Sequence, residues 1–183
     1  MREMTVYGVS FDLVGKQPIV LLRTSDGSKF LPIWIGHPEA AAILMKLQGS
    51  APPRPMTHDL LTSILEHLEA AVVRITVTEL RENTFYARIT IVQDGQEIEI
   101  DSRPSDAIAL AVRAEAKIFA ADDVIEESGI EFEGEGEEAD ARIARVSSLA
   151  DLDPEEFRRF LDSVTPEQFA QEIEGEEPEE KDS

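Results

Sequence analysis

Apolar and polar residues alternate over positions 4–12, an unbroken apolar run follows in PIVLLR at 18–23, and a third such stretch is KFLPIWI at 29–35. Period-two alternation and short apolar runs bounded by turn residues predict three β-strands. SDGS separates the second from the third, and Asp26-Gly27 is expected to supply the positive φ angles of a tight hairpin. HPEAAAILMKLQG then switches to helical spacing, with Pro38 suited to the first turn and Gly49 to the end. The order recurs downstream. Positions 72–80, 84–92 and 97–101 alternate as strands, Asp94-Gly95 joins the last two, and RPSDAIALAVRAEA is again a helix entered at a proline. An internal βββα duplication is one explanation of this echo, and chance between two common arrangements is the other.

Between the halves, APPRP is a rigid connector and MTHDLLTSILEHLEA an amphipathic helix whose apolar face is Leu60, Leu61, Ile64, Leu65 and Leu68. KIFA and DDVIEESG add a short strand and a helical turn. Together these elements predict an α+β domain over residues 1–130, with a mixed, largely antiparallel sheet and packed helices. EFEGEGEEAD opens an acidic linker over 131–150 that is too charged to pack. DPEEFRRFLDSV and TPEQFAQEI predict a pair of short C-terminal helices within 151–173, each opened by a capping residue and a proline. Residues 174–183 read as a disordered acidic tail.

Composition narrows the function classes. With 42% hydrophobic residues in 183, the chain can bury a core without staples. The absence of cysteine excludes disulfides, thiolate zinc sites and cysteine nucleophiles. The first residues enter a strand pattern with no signal region, and the apolar runs are too short to span a bilayer. A cytoplasmic protein with no membrane partner is therefore expected. The net charge of −21 divides into −5 over residues 1–123 and −16 over 124–183. The folded part is only mildly acidic, so a local anion site is compatible with it, although no Lys/Arg tract forms a nucleic-acid stripe.

Candidate chemistry gathers at three helix entrances. DSRPSD places Asp101, Ser102, Arg103, Ser105 and Asp106 around one proline. In a structural reading Ser102 or Ser105 caps the helix, Asp106 sits in its first turn, and Arg103 pairs with Asp101 or Asp106. That reading leaves Arg103 at the positive end of the helix dipole unless an anion neutralises it. RPMTHDLL repeats the device with Arg54, Thr57, His58 and Asp59, Thr57 being the expected N-cap. IGHPEAAAI adds Glu39 in a first turn. If the helices converge, Glu39, His58, Asp59, Asp101 and Asp106 bring hard ligands beside two arginines. Such ligands suit Mg²⁺ or Mn²⁺ shared with phosphate, and the arginines suit the phosphate itself. The chain contains no HExxH, P-loop, GxSxG or zinc spacing.

LPIWIGHPEAAAI, RPMTHDLL, NTFYARI and DSRPSDAIALA, in this order and at these distances, resemble the bifunctional nuclease (BFN) domain family over about residues 4–130. The resemblance implies a compact α+β domain, cleavage of both DNA and RNA, and a homo-oligomer. Its motif positions here are Glu39, Arg54, Thr57, His58, Asp59, Asp101, Ser102, Arg103, Ser105 and Asp106. By chemistry, His58, Asp59, Asp101 and Asp106 are the catalytic candidates, and Glu39 joins the three aspartates as candidate ligands of Mg²⁺ or Mn²⁺. Arg54, Arg103, Ser102, Ser105 and Thr57 are the candidate phosphate-binding residues. Some relatives carry a repair-type helical hairpin after the domain; this chain has its Phe-rich pair instead, a candidate surface for a protein partner. With 6% aromatic residues, nucleic-acid binding is expected to be weak and without strong sequence preference. Two rivals use the same residues without turnover: an oligomeric scaffold or regulatory module, and a sensor of small anions or nucleotides.

Overall fold

The structure is a computed structural model that describes residues 1–12, 17–50 and 52–131. The predicted linker beyond Glu131, the C-terminal helix pair and the acidic tail lie outside the described residues. The strands are β1 (Arg2–Asp12), β2 (Gln17–Thr24), β3 (Lys29–Trp34), β4 (Ala71–Arg81), β5 (Thr84–Gln93), β6 (Gln96–Ser102), β7 (Lys117–Ala120) and β8 (Ile130–Glu131). The helices are α1 (His37–Leu47), α2 (Thr57–His67), α3 (Pro104–Ala114) and α4 (Asp122–Ser128). All the strands join one sheet in the order β6-β5-β4-β7-β1-β2-β3-β8. Its pairings are antiparallel except β4 against β7, so the expected mixed, largely antiparallel α+β fold is the one observed.

Two three-stranded meanders, β1-β2-β3 and β4-β5-β6, lie on either side of β7, and each leads toward a proline-entered helix. This shared order does not demonstrate duplication, and the Asp-Gly turns differ. Asp94 and Gly95 both take positive φ, 52° and 76°, as a type I′ hairpin needs. At the earlier turn only Gly27 does, at 76°. Asp26 instead holds the loop with its carboxylate, accepting hydrogen bonds from the Thr24 hydroxyl and the Ser28 N–H. The β4–β5 turn has no glycine; Glu82 and Asn83 carry its positive φ.

β2 is buried at five consecutive positions, which is why its sequence reads as a run and not as an alternation. Leu22, Leu31 and Ile43 are completely buried. α3 packs on α1, α2, β4 and β5 and is the most deeply set helix, with Ala107 through Ala111 all buried. Its small residues allow that close approach. α2 behaves differently. Its one buried residue is His58, while Leu60, Leu61, Ile64 and Leu68 are exposed. No helix among the described residues is long and apolar enough to cross a membrane.

Ile108 has no exposed surface. Ile108→Ala should lower unfolding free energy by about 2–5 kcal/mol through lost burial and a residual cavity, measured by urea denaturation.

Candidate functional site

The chain entering α3 from β6 passes through Ser102 and Arg103, and Pro104 begins the helix with its φ already helical. Neither serine caps it. Arg103 is the N-cap residue, without a side-chain cap bond, and the Ser102 hydroxyl donates to the Arg103 carbonyl at 3.0 Å. Arg103, with only donors in its side chain, has no acceptor to offer the first-turn N–H groups. Thr57 is not the cap of α2 either. Met56 holds that position, and the Asp59 carboxylate reaches back to accept its N–H at 2.9 Å.

Arg103 is neutralised from two sides. Its Nη2 donates to Glu39 Oε1 at 2.9 Å, and its Nε donates to Asp106 Oδ2 at 2.7 Å. Those contacts answer the electrostatic objection to an arginine at a helix N-terminus. Gly36 precedes α1, and a Cβ there would meet the Glu39 carboxylate, which would have to shift. Asp106 is shared, since its Oδ1 accepts from His58 Nε2 at 3.2 Å. Glu39, Arg103, Asp106 and His58 thus form one continuous polar chain across α1, α3 and α2. Asp106 first, then Glu39, raises the Arg103 pKa, so the guanidinium is firmly cationic.

A second arginine lies underneath. Arg113, with 6% of its side chain exposed, donates from Nε to Asp59 Oδ1 at 2.6 Å, from Nη1 to the Ala109 carbonyl and from Nη2 to the Ala42 carbonyl. Desolvation pushes the Asp59 carboxyl upward; the Met56 N–H and Arg113 outweigh it and hold the pKa below the ordinary aspartate value.

The remaining candidates stand apart. Asp101 lies in β6 opposite Arg88, on the face away from Ile89 and Ile100, and joins none of these ion pairs. Arg54 is exposed in the connector without an ion pair among the described residues, and Thr57 is exposed at the start of α2. Ser105 is buried beside Arg103. No three Asp, Glu or His among the described residues converge as a metal cluster. Glu39 and Asp106 do converge, with a guanidinium between them as a stand-in cation. Two carboxylates do not make a closed protein cage for a metal ion.

Sequence reasoning missed Arg113. A basic residue in the last helical turn is ordinary for the helix dipole, and the one signal was its spacing: seven residues after Asp106, on the same helical face.

Comparison with known proteins identifies the family. A family model described as bifunctional nuclease domain matches residues 20–133. An uncharacterized protein of Mycobacterium tuberculosis is 36% identical over 169 residues, covering 92% of this chain and 98% of that one. Bifunctional nuclease 1 of Oryza sativa subsp. japonica is 30% identical over 103 residues, covering 54% of this chain and 31% of the rice protein. Bifunctional nuclease 2 of the same plant is 26% identical over 106 residues, covering 56% and 33%.

Because the Asp59 pKa is depressed in the fold, its stabilisation is fully present above the unfolded value of about 3.9 and is lost as pH falls through the lower folded value. Asp59→Asn should therefore be less stable near neutrality and show a flatter loss of stability below about pH 4. Urea midpoints measured across that range check it.

Proposed function

Since the chain belongs to the bifunctional nuclease domain family, we propose that it hydrolyses phosphodiester bonds in DNA and RNA at the entrance of α3. The observation that carries the reading is Arg103, two-thirds exposed and bridging Glu39 to Asp106. An exposed guanidinium with two carboxylate partners can exchange one of them for a phosphate, which it recognises through paired N–H donors. The α3 N-terminus favours the same anion.

When phosphate draws Arg103 away, Asp106 Oδ2 loses its donor while Oδ1 keeps His58 in place. Oδ2 then takes a proton from water as the water oxygen bonds to phosphorus. The P–O ester bond breaks, and its oxygen leaves with a proton returned through the Asp106–His58 pair. A general acid–base pair of this kind contributes roughly 10²–10⁴-fold. Glu39 would hold Mg²⁺ or Mn²⁺ together with the substrate phosphate and water, and the ion would supply charge neutralisation at the phosphate. Asp59 has a positioning role through Arg113. Binding rests on few cations, so it should be weak and salt-sensitive.

Cleavage of single-stranded DNA and RNA, with and without Mg²⁺ or Mn²⁺, tests this. Asp106→Ala and Arg103→Ala, once shown to fold by circular dichroism, should each lose about 10²-fold or more in rate. Equal activity in wild type and both variants would overturn the assignment.

A second reading, an oligomeric scaffold or regulatory module, draws on α2, where exposed Leu60, Leu61 and Ile64, with Leu68 just past its end, suit a face covered by another copy. Light scattering of Ile64→Glu should then give a smaller mass than wild type. Identical masses would remove α2 from any self-association.

A further inference from the structure

An open cleft of about 350 Å³ adjoins the ion-pair chain. One wall is the end of β3 with Trp34, another is the β4–β5 turn with Asn83, Thr84 and Phe85, and the floor is the start of α3 with Arg103 and Ser105. Its volume falls in the range of roughly 300–1,000 Å³ typical of small-ligand sites.

Three observations limit what could enter. Trp34 is 52% exposed at the end of a strand whose neighbouring positions Leu31 and Ile33 are buried. An indole left in water at the mouth of a cleft offers a flat apolar face. Phe85, half-buried, lines the same cleft. Ser105 is 7% exposed, lines the cleft, and makes no hydrogen bond with the described residues. No buried side-chain oxygen among the described residues lacks a partner, so this hydroxyl opens onto the cleft, with a donor and an acceptor available to a ligand. The N-terminus of the 11-residue α3 faces the same floor, and Arg103, on exchanging one of its two carboxylate partners, can turn paired N–H donors to an anion there.

A flat apolar ring, a hydrogen-bonding edge and an adjacent anion are together the chemistry of a nucleotide. We propose that this cleft takes one unstacked nucleobase of a single-stranded nucleic acid, stacked on Trp34, with the neighbouring phosphate directed to Arg103. Ser105 and Asn83 supply polar contacts at the base edge. The inference rests on the phosphodiesterase reading and adds to it a substrate class: strands whose bases are free, with duplexes excluded because their bases are already stacked. Base–aromatic stacking tolerates every base, so the cleft adds affinity without sequence selectivity.

Trp34 is the single tryptophan of the chain, so intrinsic fluorescence reports on this cleft alone. The full chain is titrated in EDTA at low salt with a ten-residue oligothymidylate, the matching oligouridylate, an abasic strand of equal length, and a duplex. The two base-bearing strands should quench Trp34, and the abasic strand and duplex should not. Labelled-strand anisotropy should show Trp34→Ala binding about 5- to 100-fold more weakly and Trp34→Phe close to wild type. Quenching by the abasic strand equal to that by the base-bearing strands, or unquenched binding of all of them, would overturn the proposal even if Trp34→Ala fails to fold. Cleavage is scored separately. An active enzyme whose Trp34 ignores the strands refutes the cleft alone, whereas quenching without cleavage refutes hydrolysis and keeps the cleft.

Discussion

The arrangement of the helices depends on one buried positive charge. Arg113 sits 94% out of water and reaches a carboxylate on α2, a carbonyl on α1 and a carbonyl of its own helix. A guanidinium so placed is costly unless every donor is matched, and removing one partner leaves an uncompensated charge in a poorly solvated place. The three helices therefore cannot slide independently. Asp59 takes part twice, closing the first turn of α2 through Met56 while neutralising Arg113. Two helices are fixed to the third by geometry, and Glu39, Asp106 and His58 are carried into range of Arg103 as a consequence.

The two arginines illustrate how solvent divides labour between similar ion pairs. Arg113 is buried, and its contacts specify position. Arg103 is mostly exposed, so its bonds to Glu39 and Asp106 contribute little to stability and are cheap to exchange. A site that must accept an external anion needs the second kind of pair standing on the first. The polar chain from Glu39 to His58 has this layout, with a labile end toward solvent and its histidine end held within the packed helices.

Much of the fold was legible because short-range signals agree with it. Alternation in β4 and β5, the Asp94-Gly95 turn and the proline entrances of α1 and α3 each have a local cause, and KIFA became β7 over the same four residues. Where the reading departed from the structure, the cause was tertiary. Thr57 and the serines beside Pro104 have capping chemistry, but Met56 and Arg103 occupy the cap positions, and at α2 a carboxylate from within the turn reaches back to the Met56 N–H. Asp101 reads as one of a cluster along the chain, yet strand alternation turns it away from Asp106 only five residues later. The apolar stripe of α2 announced a helix without saying whether anything covers it. β8, two residues long, straddles the expected boundary, with Ile130 in the domain and Glu131 at the start of the acidic linker.

The position of β7 has a consequence for how the chain matures. Four residues close the hydrogen-bonded seam between the two meanders, and they are made after both meanders are complete. A nascent polypeptide emerging from the ribosome thus presents β1 and β4 with bare inner edges until Ala120 is available. Bare strand edges invite pairing with other chains, and contacts between distant parts of the sequence form slowly. Until the seam closes, those two inner edges are open to pairing with other chains.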